Sequence, residues 1–238
     1  MPTLGIIGSG NIGTAVARLA AAAGIPVVVA NSRGPRTLAG LIAQLGPLAA
    51  AGTVEQAAEA GDLVLLSVPL IAHTGVPPAP LAGKIVLDTS NYYPSRDGRI
   101  AELDEEKLTT SELVHRHFAG ARLVKAFNNI LAHHIPELAR PAGAADRTAL
   151  AIAGDHPEAK VDAAALIDRL GFDTVDAGPL EQSWRFEPEA GAYTRLYLAD
   201  HGTPDERMLQ APGRPVAASE VRRALQTAER VRVAGRAF

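Results

Sequence analysis

Leu4-Gly5-Ile6-Ile7-Gly8-Ser9-Gly10-Asn11-Ile12-Gly13-Thr14-Ala15-Val16 is the stretch whose reading decides the fold. An apolar run passes into a G-x-G-x-x-G turn and then into residues apolar at helical spacing: Ile12, Ala15, Val16, Leu19, Ala20 and Ala23. Strand, glycine turn and helix in that order form a dinucleotide-binding unit. Gly8 permits the tight turn, Gly10 lets backbone amides approach a pyrophosphate, and Gly13 lets the helix lie close on the strand. The helix N-terminus then offers free N–H groups and a partial positive charge to the phosphates. Gly24 stops the helix, and Pro26-Val27-Val28-Val29-Ala30 reads as a buried second strand. A complete strand–helix–strand unit therefore surrounds the motif.

The end of that second strand selects the cofactor. A carboxylate there would bond the ribose hydroxyls of NAD and repel a 2′-phosphate. This chain carries Asn31-Ser32-Arg33-Gly34-Pro35-Arg36. A guanidinium fork binds a phosphate bidentately and stacks on adenine, and Ser32 and Ser9 can add hydrogen bonds. NADP is accordingly preferred to NAD.

Further along, a helix over 37–45, then a short strand and a capped helix read from Thr53-Val54-Glu55-Gln56 through Ala60, precede the apolar run Leu63 to Val68. That run is a central parallel strand whose carboxyl end, Ser67-Val68-Pro69, faces the ligand crevice. Lys84 to Asn91 is the next strand, with Asn91 at its polar end against the cofactor. The loop after it holds two of the chain's four tyrosines, Tyr92 and Tyr93, as a contact surface for substrate. Thr110-Ser111-Glu112 caps a helix to about Phe118. Arg122 to Asn129 is a strand ending in two amides, Asn128 and Asn129, able to hold a carboxamide or ring carbonyl. His133 and His134 are adjacent and expected to point apart, so no metal site is read from them. His133 is carried as a candidate proton donor beside the substrate. Strands over 149–154 and 172–179 flank an amphipathic helix from Pro157 to Leu170, making about eight strands in all. Beyond them Trp184, Phe186, Tyr193 and Tyr197 cluster in a Pro- and Gly-punctuated stretch. A terminal helix is expected over 216–233.

The expected architecture is α/β: a doubly wound, mostly parallel Rossmann sheet over residues 1–180 with a small extension over 181–238. The late aromatics either cover the acceptor site, Trp184 included, or form a homodimer contact. With 238 residues the chain can bury a sizeable core without staples. It contains no cysteine, which excludes thiol chemistry and iron–sulfur clusters and suits the cytoplasm. A net charge of −3 without basic blocks argues against nucleic acid as a partner. No apolar run approaches the roughly eighteen residues of a membrane span, and no signal peptide is expected.

Together these residues resemble the coenzyme F420-dependent NADP oxidoreductases, whose fold also forms the reductase domain of the STEAP metalloreductases. The resemblance covers roughly residues 3–187. It rests on the glycine turn, Asn31-Ser32-Arg33, Ser67-Val68-Pro69, Val124-Lys125-Ala126-Phe127-Asn128, Ile152-Ala153-Gly154-Asp155, and Asp176-Ala177-Gly178-Pro179-Leu180 with Ser183 and Glu187. It implies hydride transfer between NADPH and a flat F420 or flavin ring stacked on the nicotinamide, with no assigned acid or base. It further implies that Ser9, Ser32, Arg33 and Arg36 hold the 2′-phosphate, that residues from Ala126 to Ala132 line the nicotinamide, and that Ile130 backs that ring.

Residues 88–93 and Asn128-Asn129 are more polar than the family pattern, and a long polar tail follows Glu187. FMN, FAD, a quinone or a small carbonyl or imine compound therefore stand beside F420 as acceptors, and a non-catalytic NADP-binding redox sensor stands outside the enzyme class. Lys125 is read as snorkelling or pairing rather than catalysing. Replacing Arg33 by Ala should weaken NADPH binding and leave NADH nearly untouched. Equal losses of both, measured by titration of nucleotide fluorescence, would refute the 2′-phosphate assignment.

Overall fold

The computed structural model describes residues 2–232. Eight strands among them form one sheet: β1 (Leu4–Ile7), β2 (Val27–Ala30), β3 (Ala49–Ala51), β4 (Leu63–Leu66), β5 (Ile85–Asp88), β6 (Arg122–Lys125), β7 (Ala149–Gly154) and β8 (Asp173–Asp176). Their spatial order is β3-β2-β1-β4-β5-β6-β7-β8. All neighbours pair in parallel except β6 and β7, which run antiparallel. The expected doubly wound, mostly parallel sheet is therefore present. Its first six strands follow the order of a dinucleotide-binding fold, with the reversal of winding between β1 and β4.

Strands buried on both faces read as unbroken apolar runs, and β1, β4 and β7 are buried at every residue. Against one face lie α1 (Asn11–Ala22), α2 (Ala39–Leu45), α7 (His134–Leu138), α8 (Pro157–Arg169) and α10 (Ala218–Gln226), which bury Val16, Ala20, Ile135, Leu166, Ile167, Val221 and Leu225 in one core. Against the other lie α3 (Val54–Ala60) and α6 (Thr110–His117), around Val64, Leu66, Val86, Val114 and Phe118. Short helices α4 (Pro94–Asp97), α5 (Ala101–Asp104) and α9 (Asp205–Met208) sit in connections. No helix among the described residues is long and apolar enough to cross a membrane.

Both mid-chain helices open with a capping box. Thr53 Oγ1 accepts from the Gln56 amide (3.2 Å) and Gln56 Oε1 from the Thr53 amide (2.9 Å). Thr109, one residue before the expected cap, does the same with Glu112. The third strand lies at Ala49–Ala51, ahead of the Thr53 cap rather than on it. The expected terminal helix is shorter than its pattern suggests: α10 ends at Gln226, and Val233 lies outside the described residues.

Residues after Leu180 are built into the main core. Phe186, Ala192, Tyr197 and Val216 are buried there, the Ala149 amide donates to the Val216 carbonyl (2.8 Å), and Tyr197 Oη donates to the Ala149 carbonyl (3.1 Å). His133 and His134 clamp the same segment from α7. Their rings lie 4.2 Å apart and both Nε2 atoms donate to the Ala211 carbonyl, at 2.9 and 2.8 Å. The expectation that they point apart is therefore corrected. His133 takes a helical backbone conformation ahead of α7, and a shared acceptor turns both rings to one side.

Burial is the largest influence on His134 and lowers its pKa below the ordinary imidazole value, outweighing the opposing Ala211 carbonyl. Its stabilising contribution is complete above the unfolded pKa of about 6.5 and is lost as pH falls through the depressed folded value. The melting temperature should therefore fall below about pH 6.5 more steeply in the native chain than in His134→Gln, in parallel thermal scans from pH 8 to 5.

Candidate active site

The carboxyl ends of β1, β4, β5 and β6 open on one crevice, and the glycine turn forms its floor. Gly8 has φ of +111°, and a methyl there would sit 2.0 Å from the Ser67 carbonyl oxygen. At Gly13 a methyl would meet the Gly8 carbonyl at 2.0 Å, so α1 can approach the turn only as glycine. Gly10 has no atom within 4 Å of its missing Cβ, which leaves that side open for a phosphate. No side chain caps α1 and its first turn carries no acid, so its leading amides around Asn11 and Ile12 are kept for an anion.

Asn31 ties this turn to the cationic loop. Its Nδ2 donates to Ser9 Oγ (3.2 Å) and Thr37 Oγ1 (3.0 Å), while its Oδ1 accepts from the Arg33 amide (3.0 Å). Ser9, Ser32, Arg33 and Arg36 are thereby gathered on one rim. Among the described residues no carboxylate pairs with either guanidinium, and both arginines are exposed. Two uncompensated cations beside an anion-ready helix end suit a phosphomonoester. Ser67 and Val68 are half-buried and Pro69 exposed on the facing wall.

Beneath the other wall lies a buried ionic cluster that sequence reading missed. Asp88 and Lys125 are register partners on β5 and β6, and neither is exposed. Ser111 Oγ donates to Asp88 Oδ2 (2.6 Å) and accepts from Lys125 Nζ (3.0 Å). Lys125 Nζ also donates to the Ser90 carbonyl (2.9 Å) and lies 3.4 Å from Glu187 Oε1. That carboxylate oxygen accepts from the Thr110 amide (2.9 Å) at the start of α6. Lys125 therefore pairs, as its place in a strand suggested. A visible signal existed: each of two neighbouring apolar runs ends in a charge of opposite sign.

After β6 the chain turns sharply. Phe127 has φ of +58°, a conformation costly to a bulky residue, and its ring is fully buried edge-on to Phe172 at 6.1 Å. The turn sends Asn128 and Asn129 toward the C-terminal segment. Asn128 Nδ2 donates to Asn91 Oδ1 (3.1 Å) and the Phe186 carbonyl (2.8 Å); Asn129 Nδ2 donates to the Ala192 carbonyl (3.1 Å) and Tyr197 Oη (3.0 Å). Asn91 Nδ2 donates to the Asn128 carbonyl (2.7 Å) and Tyr193 Oη (3.1 Å). These Nδ2 donors hold the protein's own chain, whereas Asn128 Oδ1 and Asn129 Oδ1 are buried with no hydrogen-bond partner among the described residues. Ala126 and Ile130 are buried behind them, and Ala132 is half-buried.

The expected substrate residues separate. Tyr93 lines a cavity of about 690 Å3 between the loop after β5 and residues 188–209. Tyr92 does not: its ring is buried and its hydroxyl donates to the Gly98 carbonyl (3.0 Å) and lies 3.0 Å from Asp104 Oδ1. Adjacent strand-like residues point to opposite sides, so only one tyrosine of the pair can face the cavity. Trp184 lies near the Arg185 and Arg230 guanidiniums and shares with Tyr92 a hollow of about 10 Å3, room for one water. Asn129 is fully buried, and His133 is spent on Ala211. His133, His134 and Glu137 bring ligating atoms within 4.8 Å of one another, but both Nε2 atoms already donate to the Ala211 carbonyl.

Residues 3–92 match the family model described as NADP oxidoreductase, coenzyme F420-dependent. The crystal structure of protein SMa0349 from Sinorhizobium meliloti is 34% identical and superposes with a TM-score of 0.68, over 77% of this chain and 88% of that one. Residues 3–92 therefore form a domain of the F420-dependent NADP oxidoreductase family. The rat metalloreductase STEAP3 is 30% identical over 189 residues, which are 78% of this chain and 36% of that protein. The chain thus spans little more than a third of the curated relatives it matches, whose covered shares are 36% and 39%. An Arthrobacter structure provisionally described as an F420-dependent NADP-reductase shares the fold, at 22% identity and a TM-score of 0.63, over 77% of this chain and 87% of that one.

Removing Lys125 leaves two buried carboxylates without their cation. Lys125→Met should cost about 3–5 kcal/mol, and adding Glu187→Gln should recover part of that loss. Urea unfolding of the two single variants and the double variant checks the coupling.

Proposed function

We propose that this chain binds NADP(H) across the Gly8–Gly13 turn and exchanges hydride between its nicotinamide and a planar acceptor ring stacked on it, of the deazaflavin or flavin type. The observation that carries this reading is the Asn31 tether. It sets Ser9 and two unpaired arginines, Arg33 and Arg36, beside an uncapped helix N-terminus. The pyrophosphate would lie on the amides from Gly10 to Gly13, and the 2′-phosphate on Ser32, Arg33 and Arg36. Ser67, Val68 and Pro69 would flank the nicotinamide ribose, with Asn91, Ala126, Asn128 and Ala132 around the ring. The cofactors supply the electrons; the chain's residues bind, orient and exclude water.

Family membership supports the NADP-dependent oxidoreductase class. The names of relatives, an F420-dependent NADP-reductase and a metalloreductase, support a redox partner that takes electrons from NADPH. A homodimer is part of the proposal; with Phe186 and Tyr197 buried in the chain's own core, Trp184 and Tyr193 are the late aromatics left for such a contact.

The chain should bind NADPH at least about tenfold more tightly than NADH, the scale of one charge-assisted contact. With F420, FMN or FAD offered separately, 340 nm absorbance should fall faster than in protein-free controls. Equal affinity for the two nucleotides would refute the NADP assignment. Tight NADPH binding with no oxidation by any of the three would refute the deazaflavin or flavin acceptor.

A further inference from the structure

The cavity of about 690 Å3 is built from residues beyond the family match. Its walls are Tyr93 and Arg96 from the loop after β5, Leu131 after β6, and residues between Pro188 and Leu209. Asn91, just past the carboxyl end of β5, joins the crevice to this wall, donating to the Asn128 carbonyl and to Tyr193 Oη. The lining is apolar at Leu131, Pro188, Ala190, Met208 and Leu209, and Leu209 stands 72% exposed at the rim.

Charge at this rim is opposite to that at the cofactor rim. Both arginines of the lining are already spent. Arg96 is held by Asp97 (Nη2 to Oδ2, 2.8 Å; Nε to Oδ1, 2.9 Å) and donates to the Asn91 carbonyl (2.7 Å). Arg195 pairs with Asp205 and donates to the His201 and Thr203 carbonyls. Glu189 and Glu206 have no cationic partner among the described residues. A phosphate or carboxylate tail would enter against two carboxylates with no guanidinium to receive it. Meanwhile the Tyr93 and Tyr193 hydroxyls lie 2.5 Å apart on the wall, suited to a ligand carbonyl.

We infer that this cavity takes an uncharged, carbonyl-bearing ring compound of the quinone class as hydride acceptor, in preference to phosphate-bearing flavins or deazaflavins. The inference rests on the NADP(H)-binding part of the reading above and sets a quinone in place of its deazaflavin or flavin acceptor. The hydride leaves nicotinamide C4 with its electron pair, giving NADP+, and adds to the quinone. A proton delivered through the Tyr93–Tyr193 hydroxyl pair and replaced from solvent completes the quinol.

The test uses the full chain with menadione as the uncharged probe and FMN and F420 as the anionic ones. NADPH oxidation should be at least about tenfold faster with menadione than with either anion, and Glu189→Gln/Glu206→Gln should narrow that ratio severalfold. Calorimetric titration of menadione into the nucleotide-free protein reads the cavity independently of NADPH. Met208→Trp, which fills the cavity from the side away from the nicotinamide residues, should abolish menadione binding and leave the NADPH Kd unchanged. Leu209→Glu at the exposed rim should weaken menadione in the same sense, should the tryptophan variant not fold. Tyr93→Phe should lower kcat with menadione and flatten its pH profile. Preference for FMN or F420, or menadione binding indifferent to both Met208→Trp and Leu209→Glu, would overturn the inference. So would dissociation of a dimer by Leu209→Glu with menadione turnover intact, because the cavity would then be a contact between copies. Absent NADPH binding with intact menadione binding would refute the NADPH reading and retain the cavity.

Discussion

Lys125 is the charge on which the site wall depends. It is a cation with no exposure in the middle of a sheet, tolerated because Asp88 (through Ser111), the Ser90 carbonyl and Glu187 surround it. Such a cluster adds little net stability, since desolvation offsets most of the attraction, but it is unforgiving of a missing partner. Its members come from β5, α6, β6 and the segment after β8. It therefore acts as a registry device, fixing how four separate stretches meet beneath the crevice. Asn91, Asn128 and Asn129 perform the same task one layer higher with neutral groups.

The two ends of the crevice follow different physical rules. At the cofactor end the backbone does the recognition: three glycines, an uncapped helix and two free guanidiniums are arranged to receive negative charge. At the proposed acceptor end both lining arginines are already paired, and shape and apolar surface remain. Arg33 and Arg36, without an ion-pair partner among the described residues, stand where the proposed phosphorylated cofactor would need them.

Much of the first end was legible in the sequence, because its signals are local. The G-x-G-x-x-G turn, the absence of an acid after β2 and the apolar runs of β1, β4 and β7 each report on their own neighbourhood. The second end was not legible in the same way. Whether Tyr92 or Tyr93 faces the cavity depends on the phase of an irregular loop, which no periodicity sets. The Asn128 and Asn129 Nδ2 donors looked available for ligand until the positive φ of Phe127 aimed them at residues 186–197. His133 and His134 converge because a distant carbonyl, Ala211, attracts both. The Asp88–Lys125 pair could have been read from the sequence, had the parallel pairing of two runs ending in opposite charges been considered.

The seam between β6 and β7 carries a geometric consequence. Only Val124 with Gly154 and Lys125 with Ala153 pair across it. The four residues from Ala149 to Ile152 therefore project past the carboxyl end of β6, an overhang of roughly 13 Å at about 3.3 Å per residue. This overhang is a piece of extended sheet that the C-terminal segment covers through Tyr197 and Val216, and its height is quantised. Lengthening β7 by two residues would raise it by about 7 Å with the same side chains inward, whereas one residue would turn every inward face outward. The platform on which the C-terminal segment rests can change height only in even steps, which leaves that segment and the loop after β5 as the parts free to vary continuously.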